Sequence, residues 1–323
     1  MVDASAPTGW LVGAYAASPS RIGWDAGAER TYLDAVRAMP GVVGLEIPWT
    51  GAGLHLHDEP WLLAWLPADA QIVVTTAPET SARLRASAAF GLASTDADGR
   101  HAAVDAANAL RDGVHRLRDA LPDGRVVAVE LHTAPLATPG ASSADALHAS
   151  LSELAARDWA GATLVVEHCD AWSPDRAPAK GHMRLEDEIA VAADLRRAGL
   201  PVGVSINWGR SVIEARDPDG ATRHVALAAD AGVLEGLVLS GAAPEATPLG
   251  SAWADVHVPF ADGGTYASSL LTSERAAAAI ALAPTTAFRG VKVAAPPTAS
   301  LDDTIAVVAH ALAAAGAGAP ASA

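Results

Sequence analysis

Residues 163–172 read TLVVEHCDAW, an apolar run that leads straight into a glutamate, a histidine, the chain's single cysteine and an aspartate. A short apolar run closed by polar residues predicts a buried strand. Reactive side chains gathered where the chain leaves a strand are what parallel α/β folds display at their functional face. Alternation then assigns faces: Glu167 and Cys169 share one, and His168 turns to the other. His168, Cys169 and Asp170 therefore cannot readily share one ion, and a satisfied polar turn is expected there. A lone cysteine at a strand end is expected to be a small buried residue rather than a nucleophile.

Seven further runs of this kind flank it: WLVGAY (10–15), VVGLEIPW (42–49), QIVVTTAP (71–78), VVAVELHTAP (126–135), PVGVSINWG (201–209), GLVLSGAAP (236–244) and GVKVAAPP (290–297). Between them lie segments with apolar residues at helical spacing, most clearly 101–121, 144–158, 185–199, 273–283 and 301–316. Eight strand-then-helix units in 323 residues predict a single (β/α)₈ TIM barrel, a fold of about 250 residues or more. An open doubly wound sheet is the alternative and usually has fewer strands. One domain is expected over 1–323, with a core from about 8 to 316 and the tail GAGAPASA (316–323) disordered.

Composition narrows the function classes. With 22 Lys and Arg against 37 Asp and Glu, the net charge of −15 disfavours phosphate backbones and anionic lipid. Neither nucleic acid nor membrane is an expected partner. The opening MVDASAPTGW lacks a basic segment followed by an apolar one, and no run approaches the roughly 18 apolar residues of a membrane helix. A single cysteine permits no internal disulfide. These features point to the cytoplasm, and a homo-oligomer is left open.

Parity within the strands selects the residues that enter the barrel. In VVAVELHT, Val127, Val129 and Leu131 oppose Ala128, Glu130 and His132; in VGVSIN, Val202, Val204 and Ile206 oppose Gly203, Ser205 and Asn207. The same rule sends Glu46 and Lys292 inward. Charges inside a barrel each cost several kcal/mol unless paired, so their collection near the strand ends predicts a site. Four of the nine Trp residues, Trp49, Trp172, Trp208 and Trp253, follow or lie near strand ends. Indole faces suit the C–H faces of a sugar, while carboxylates and amides take its hydroxyls. HLHDE at 55–59 places two His on one side of an extended segment, but an exposed loop is the expected outcome.

The strand order, GLE on the second strand, EH on the fifth and DVHVPFADGG (255–264) after the seventh resemble the xylose-isomerase-like barrels of the sugar phosphate isomerase/epimerase superfamily, at its fringe. The resemblance implies a small carbohydrate as partner and, in many members, a divalent metal held by acids on strands five, six and eight and a histidine near strand seven. Glu167 matches the first position. Asn207, Ser240 and Lys292 stand at the others, with Asp255 or His257 available from the following loop. No cofactor is therefore expected; if Mn²⁺ or Mg²⁺ binds, Glu167 and His257 are the candidate ligands. A lysine ammonium among Glu46, Glu130 and Glu167 would supply the positive charge that the metal supplies elsewhere.

The expected function is a sugar or sugar-acid isomerase or epimerase, with Glu167 or Glu130 removing a proton beside a carbonyl. His132 would relay the proton, while Lys292 and Asn207 hold the oxyanion. Glu46, Trp49, Trp172, Trp208 and His257 would line the substrate. A lyase or aldolase acting through a Lys292 Schiff base needs a neutral amine, which three nearby acids oppose. A retaining glycosidase needs two carboxylates about 5 to 5.5 Å apart, and Ser240 offers none on strand seven. A non-catalytic carbohydrate-binding barrel would keep the Trp residues without turnover.

Overall fold

The computed structural model describes residues 9–317; 318–323, most of the expected disordered tail, lie outside the described residues. Eight parallel strands close into a barrel in chain order: β1 (Trp10–Val12), β2 (Val42–Pro48), β3 (Gln71–Thr75), β4 (Arg125–Leu131), β5 (Thr163–His168), β6 (Val202–Asn207), β7 (Leu234–Leu239) and β8 (Phe288–Val291). Helices α1 (Ala26–Arg37), α2 (Glu59–Trp65), α3 (Ala77–Ala86), α4 (Ala97–Ala120), α5 (Ala144–Ala155), α6 (Leu185–Arg197), α7 (Trp208–Ala215), α8 (Asp219–Asp230), α9 (Ser273–Ala281) and α10 (Leu301–Ala314) lie between and after them. The expected barrel is present, and all eight strand signals fall on strands.

Helix starts follow local chemistry. Asp25, Asp58, Asp96, Ser143, Asn207, Thr272 and Ser300 precede α1, α2, α4, α5, α7, α9 and α10, and each accepts a backbone N–H of the first turn. Such a cap satisfies donors that the helix leaves orphaned, typically worth about 1 kcal/mol. The expected strands run too far at their C-terminal ends, because buried loop residues such as Ala134 and Ala243 continue the apolar pattern without continuing the ladder.

Chain contacts group the structure into two compact units. One comprises residues 47–206 and 227–235. Within it β3, β4, β5 and β6 pair in parallel, with Thr75 opposite Glu130, Glu130 opposite Val165 and Glu167 opposite Ser205. Helices α4, α5 and α6 pack side by side against these strands, burying Leu110, Leu117, Leu147, Leu151 and Leu195. The other unit comprises 1–46, 207–226 and 236–323. There β7 pairs with β8, β8 with β1 and β1 with β2, and α1 packs against α10. No helix among the described residues is long and apolar enough to cross a membrane.

Candidate functional site

In the 47–206 unit the polar residues of β3 to β6 converge. Ser205 on β6 donates to Glu130 Oε1 on β4 at 2.7 Å, reaching across β5 as alternate strands do within one layer of a barrel interior. One residue past β4, His132 Nε2 lies 3.0 Å from Glu167 Oε2. His132 is 4% exposed and Glu167 1%, so this pair is held away from bulk water. Thr75 Oγ1 stands 3.5 Å from the same carboxylate oxygen, and Thr76 Oγ1 lies 3.0 Å from His132 Nδ1. Thr76 and His132 also border a small cavity with Thr80, Phe90, Leu92 and Ala103, whose lining is largely apolar.

The opposite face of β5 behaves as alternation requires. His168 Nδ1 meets Glu188 Oε2 of α6 at 2.7 Å, and Glu188 Oε1 accepts from Thr133 at 2.7 Å. All three side chains are buried, in an arrangement that ties β5 and the β4 loop to α6. Asp170 accepts from the backbone N–H groups of Ala179 and Lys180, each at 2.8 Å, and so folds the loop after β5 back on itself. That is the polar turn expected of HCD, and Cys169 is buried. The folded loop delivers His182, which the sequence reading missed: its ring sits edge-on to His132 with centroids 6.3 Å apart. His55 Nδ1 accepts from the N–H groups of His57 and Asp58, so HLHDE forms a local turn.

In the second unit Lys292, which follows β8, is fully buried, and its Nζ lies 2.6 Å from Glu46 Oε1 of β2. Tyr15 donates to the same oxygen at 3.2 Å, and its ring centroid is 5.0 Å from the ammonium. Gly13 makes room for this group: a Cβ there would stand 2.7 Å from Lys292 Cγ and 3.0 Å from Glu46 Oε2. His257 Nδ1 contacts Ser240 Oγ at 2.9 Å and faces Asp255 at 3.8 Å, while Arg210 Nε reaches Asp255 at 3.1 Å. Asn207 Oδ1 accepts from Arg210 N at 3.4 Å, acting as the cap of α7.

The tryptophans divide differently from the expectation. Trp208 is 0% exposed in the first turn of α7. Trp49 is buried too, close enough to α4 that a Cβ on Gly113 would come within 3.1 Å of its ring. Neither presents an open indole face, because both rings fill core space. Trp172 is half-buried in the loop after β5.

A family model described as a domain of unknown function, DUF4862, matches residues 11–307. The chain belongs to the DUF4862 family. This DUF4862 chain is 37% identical over 258 residues, 79% of each chain, to the uncharacterized protein STM3670 of Salmonella typhimurium strain LT2. Among solved structures it is similar to a candidate xylose isomerase from Rhodospirillum rubrum, with 14% identity, a TM-score of 0.57 and coverage of 97% of this chain and 100% of that one. It is also similar to the IOLI protein with a zinc atom bound (11% identity, TM-score 0.54, coverage 89% and 92%). A third is a D-psicose 3-epimerase studied with D-fructose (11% identity, TM-score 0.51, coverage 90% and 93%). At these identities the likeness is one of fold alone, that of a closed eight-stranded barrel.

Proposed function

We propose that the chain is a sugar or sugar-acid isomerase or epimerase in which Glu167 removes a proton next to a carbonyl and His132 relays it. The observation that carries this assignment is the buried His132–Glu167 pair, 3.0 Å apart at the ends of β4 and β5. A carboxylate in hydrogen-bond contact with an imidazole, shielded from water, is suited to taking a carbon-bound proton and returning it. Glu130 is the weaker candidate for base, since Ser205 already occupies its Oε1. A D-psicose 3-epimerase and a candidate xylose isomerase share the fold, which favours a small carbohydrate as the ligand. Trp172, half-buried in the loop after β5 of the same unit, is assigned to binding it.

The donor chemistry does not suit the divalent metal implied by the fold family. Of its four usual positions, one is the carboxylate Glu167, paired with His132, and one is Asn207, whose amide oxygen caps α7. A third is Ser240, bonded to His257, and the fourth is Lys292, in contact with Glu46. A protonated amine offers no lone pair and repels a cation, so we assign the chain a metal-independent reaction. The same contact opposes a Schiff-base lyase, because Glu46 holds Lys292 in the charged form that cannot attack a carbonyl.

The test is solvent exchange. The protein is incubated in D₂O with a panel of ketoses, aldoses and uronic acids, and deuterium at the carbon beside the carbonyl is read by NMR. Exchange with at least one member, reduced about a hundredfold or more in Glu167→Gln, is expected. No exchange across the panel, or exchange indifferent to Glu167→Gln, overturns the assignment.

A further inference from the structure

We infer that Thr76 is a positioning residue that holds His132 in the Nδ1–H form, so that His132 and Glu167 share one proton between Nε2 and Oε2. The inference deepens the proton-transfer assignment and rests on it only for its catalytic consequence. Thr76 Oγ1 has two polar neighbours at the same distance: the main-chain oxygen of Glu130 at 3.0 Å and His132 Nδ1 at 3.0 Å. A hydroxyl carries one proton, and a carbonyl oxygen only accepts. If Thr76 donated to the imidazole, its oxygen and the Glu130 carbonyl would face each other at 3.0 Å with no hydrogen between them, an arrangement without favourable energy in a buried place. The hydroxyl proton therefore goes to the Glu130 carbonyl. The oxygen is then left as acceptor, and His132 Nδ1 must be the donor.

Proton counting fixes the rest. With Nδ1 protonated, Nε2 is either a lone pair or a second N–H, and it stands 3.0 Å from a carboxyl oxygen. A lone pair facing a carboxylate is repulsive, so one proton lies between the two groups, on the imidazole or on the acid. The resting pair is a neutral pair or an imidazolium–carboxylate pair, of net charge zero in either case. In the second form Glu167 is an ionised carboxylate able to accept a proton, with the relay proton already placed beside it. When Glu167 takes the substrate's proton, the C–H electron pair passes to the carbonyl oxygen and the His–Glu pair gains one proton. Return of a proton from the pair to carbon restores the count, with no oxidant or co-reactant. Thr76 thus sets which nitrogen works, without touching the substrate. It stands one residue beyond β3, and its backbone N–H also bonds the Glu130 carbonyl at 3.0 Å, which fixes its place relative to β4.

The experiment reads the ring directly, so its failure and that of the isomerase assignment are distinguishable. Protein labelled with ¹⁵N-histidine is measured by two-bond ¹H–¹⁵N correlation, with His132 assigned by its loss in His132→Asn. Wild type is expected to show a protonated Nδ1; Thr76→Ser is expected to keep it, and Thr76→Val to move the proton to Nε2. In the D₂O exchange assay Thr76→Val should then be slower by about a hundredfold and Thr76→Ser by less than about threefold. An unprotonated Nδ1 in wild type, or a Thr76→Val protein whose Nδ1 stays protonated, overturns the inference even if exchange is observed. A Thr76→Val chain that does not fold leaves the wild-type and Thr76→Ser spectra to decide it.

Discussion

Replacing Lys292 with Met removes a charge while keeping an unbranched stem of nearly the same volume, so the perturbation is electrostatic more than steric. In the folded chain the lost ammonium is 0% exposed and 2.6 Å from Glu46 Oε1, with the Tyr15 ring 5.0 Å away. Removing one member of such a pair leaves the other charge in a place that water does not reach, which costs about 3 to 5 kcal/mol against less than about 1 kcal/mol for an exposed pair. Unfolding entropy of about 2.1 cal/mol/K per residue, taken over the 323 residues of the chain, is about 0.7 kcal/mol/K. The expected fall in Tm is therefore about 4 to 7 °C. Calorimetry and circular dichroism at pH 7 measure it. Adding Glu46→Gln to Lys292→Met removes the stranded carboxylate and should recover at least half of the loss. A drop below about 1.5 °C for the single variant, or a double variant that is worse than the single, would refute a buried ammonium as the organiser of this group.

Further outcomes follow from other contacts. Gly13→Ala places a Cβ within 2.7 Å of Lys292 Cγ and should cost about 1 to 3 kcal/mol in a denaturant titration. Burial pushes the Glu79 carboxyl above the usual glutamate range, more than neighbouring Arg83 pulls it down. An acid raised in the folded state favours folding when protonated, and that contribution is lost as pH rises through the folded value. Glu79→Gln should therefore stabilise the chain at pH 7, and the gain should vanish near pH 3.5, below the ordinary glutamate value of about 4.3. Elemental analysis and calorimetric titration with Mn²⁺ and Mg²⁺ should find neither stoichiometric metal nor binding. Bound metal with Glu167 among its ligands would restore a metal-dependent reaction.

The barrel was legible because its evidence is repeated. Eight apolar runs, each closed by polar residues, outweigh the error in any one boundary, and all eight coincide with strands. Helices α4, α5, α6, α9 and α10 were legible from their one-sided apolar spacing. Helix α7 was not, since its eight residues start at Trp208 directly after β6 ends at Asn207, with no intervening loop to mark where strand becomes helix. Alternation turned His168 away from the face of Glu167, because period-two geometry is a property of the backbone and needs no knowledge of neighbours, and the structure sets it against α6. The rings of Trp49 and Trp208 show the limit. Their position after a strand was visible, but whether an indole closes on core or faces solvent depends on the helix that packs over it, and no local pattern carries that information.

The same distinction explains which chemical residues could be found. Glu130, His132, Glu167 and Lys292 announce themselves because a charged or basic group at an interior position would be unstable without a partner. Gly13 and Thr76 do not, although each governs one of those groups. Glycine at 13 is significant only through what a Cβ would strike, and Thr76 in QIVVTTAP reads as an ordinary strand residue. Its role emerges only when one hydroxyl proton must be divided between a carbonyl and an imidazole at equal distances. Residues that carry charge are thus readable from a sequence through the cost of burying them. Residues that decide where a proton sits cost nothing to bury once satisfied, and they become visible only when every donor around them has been counted.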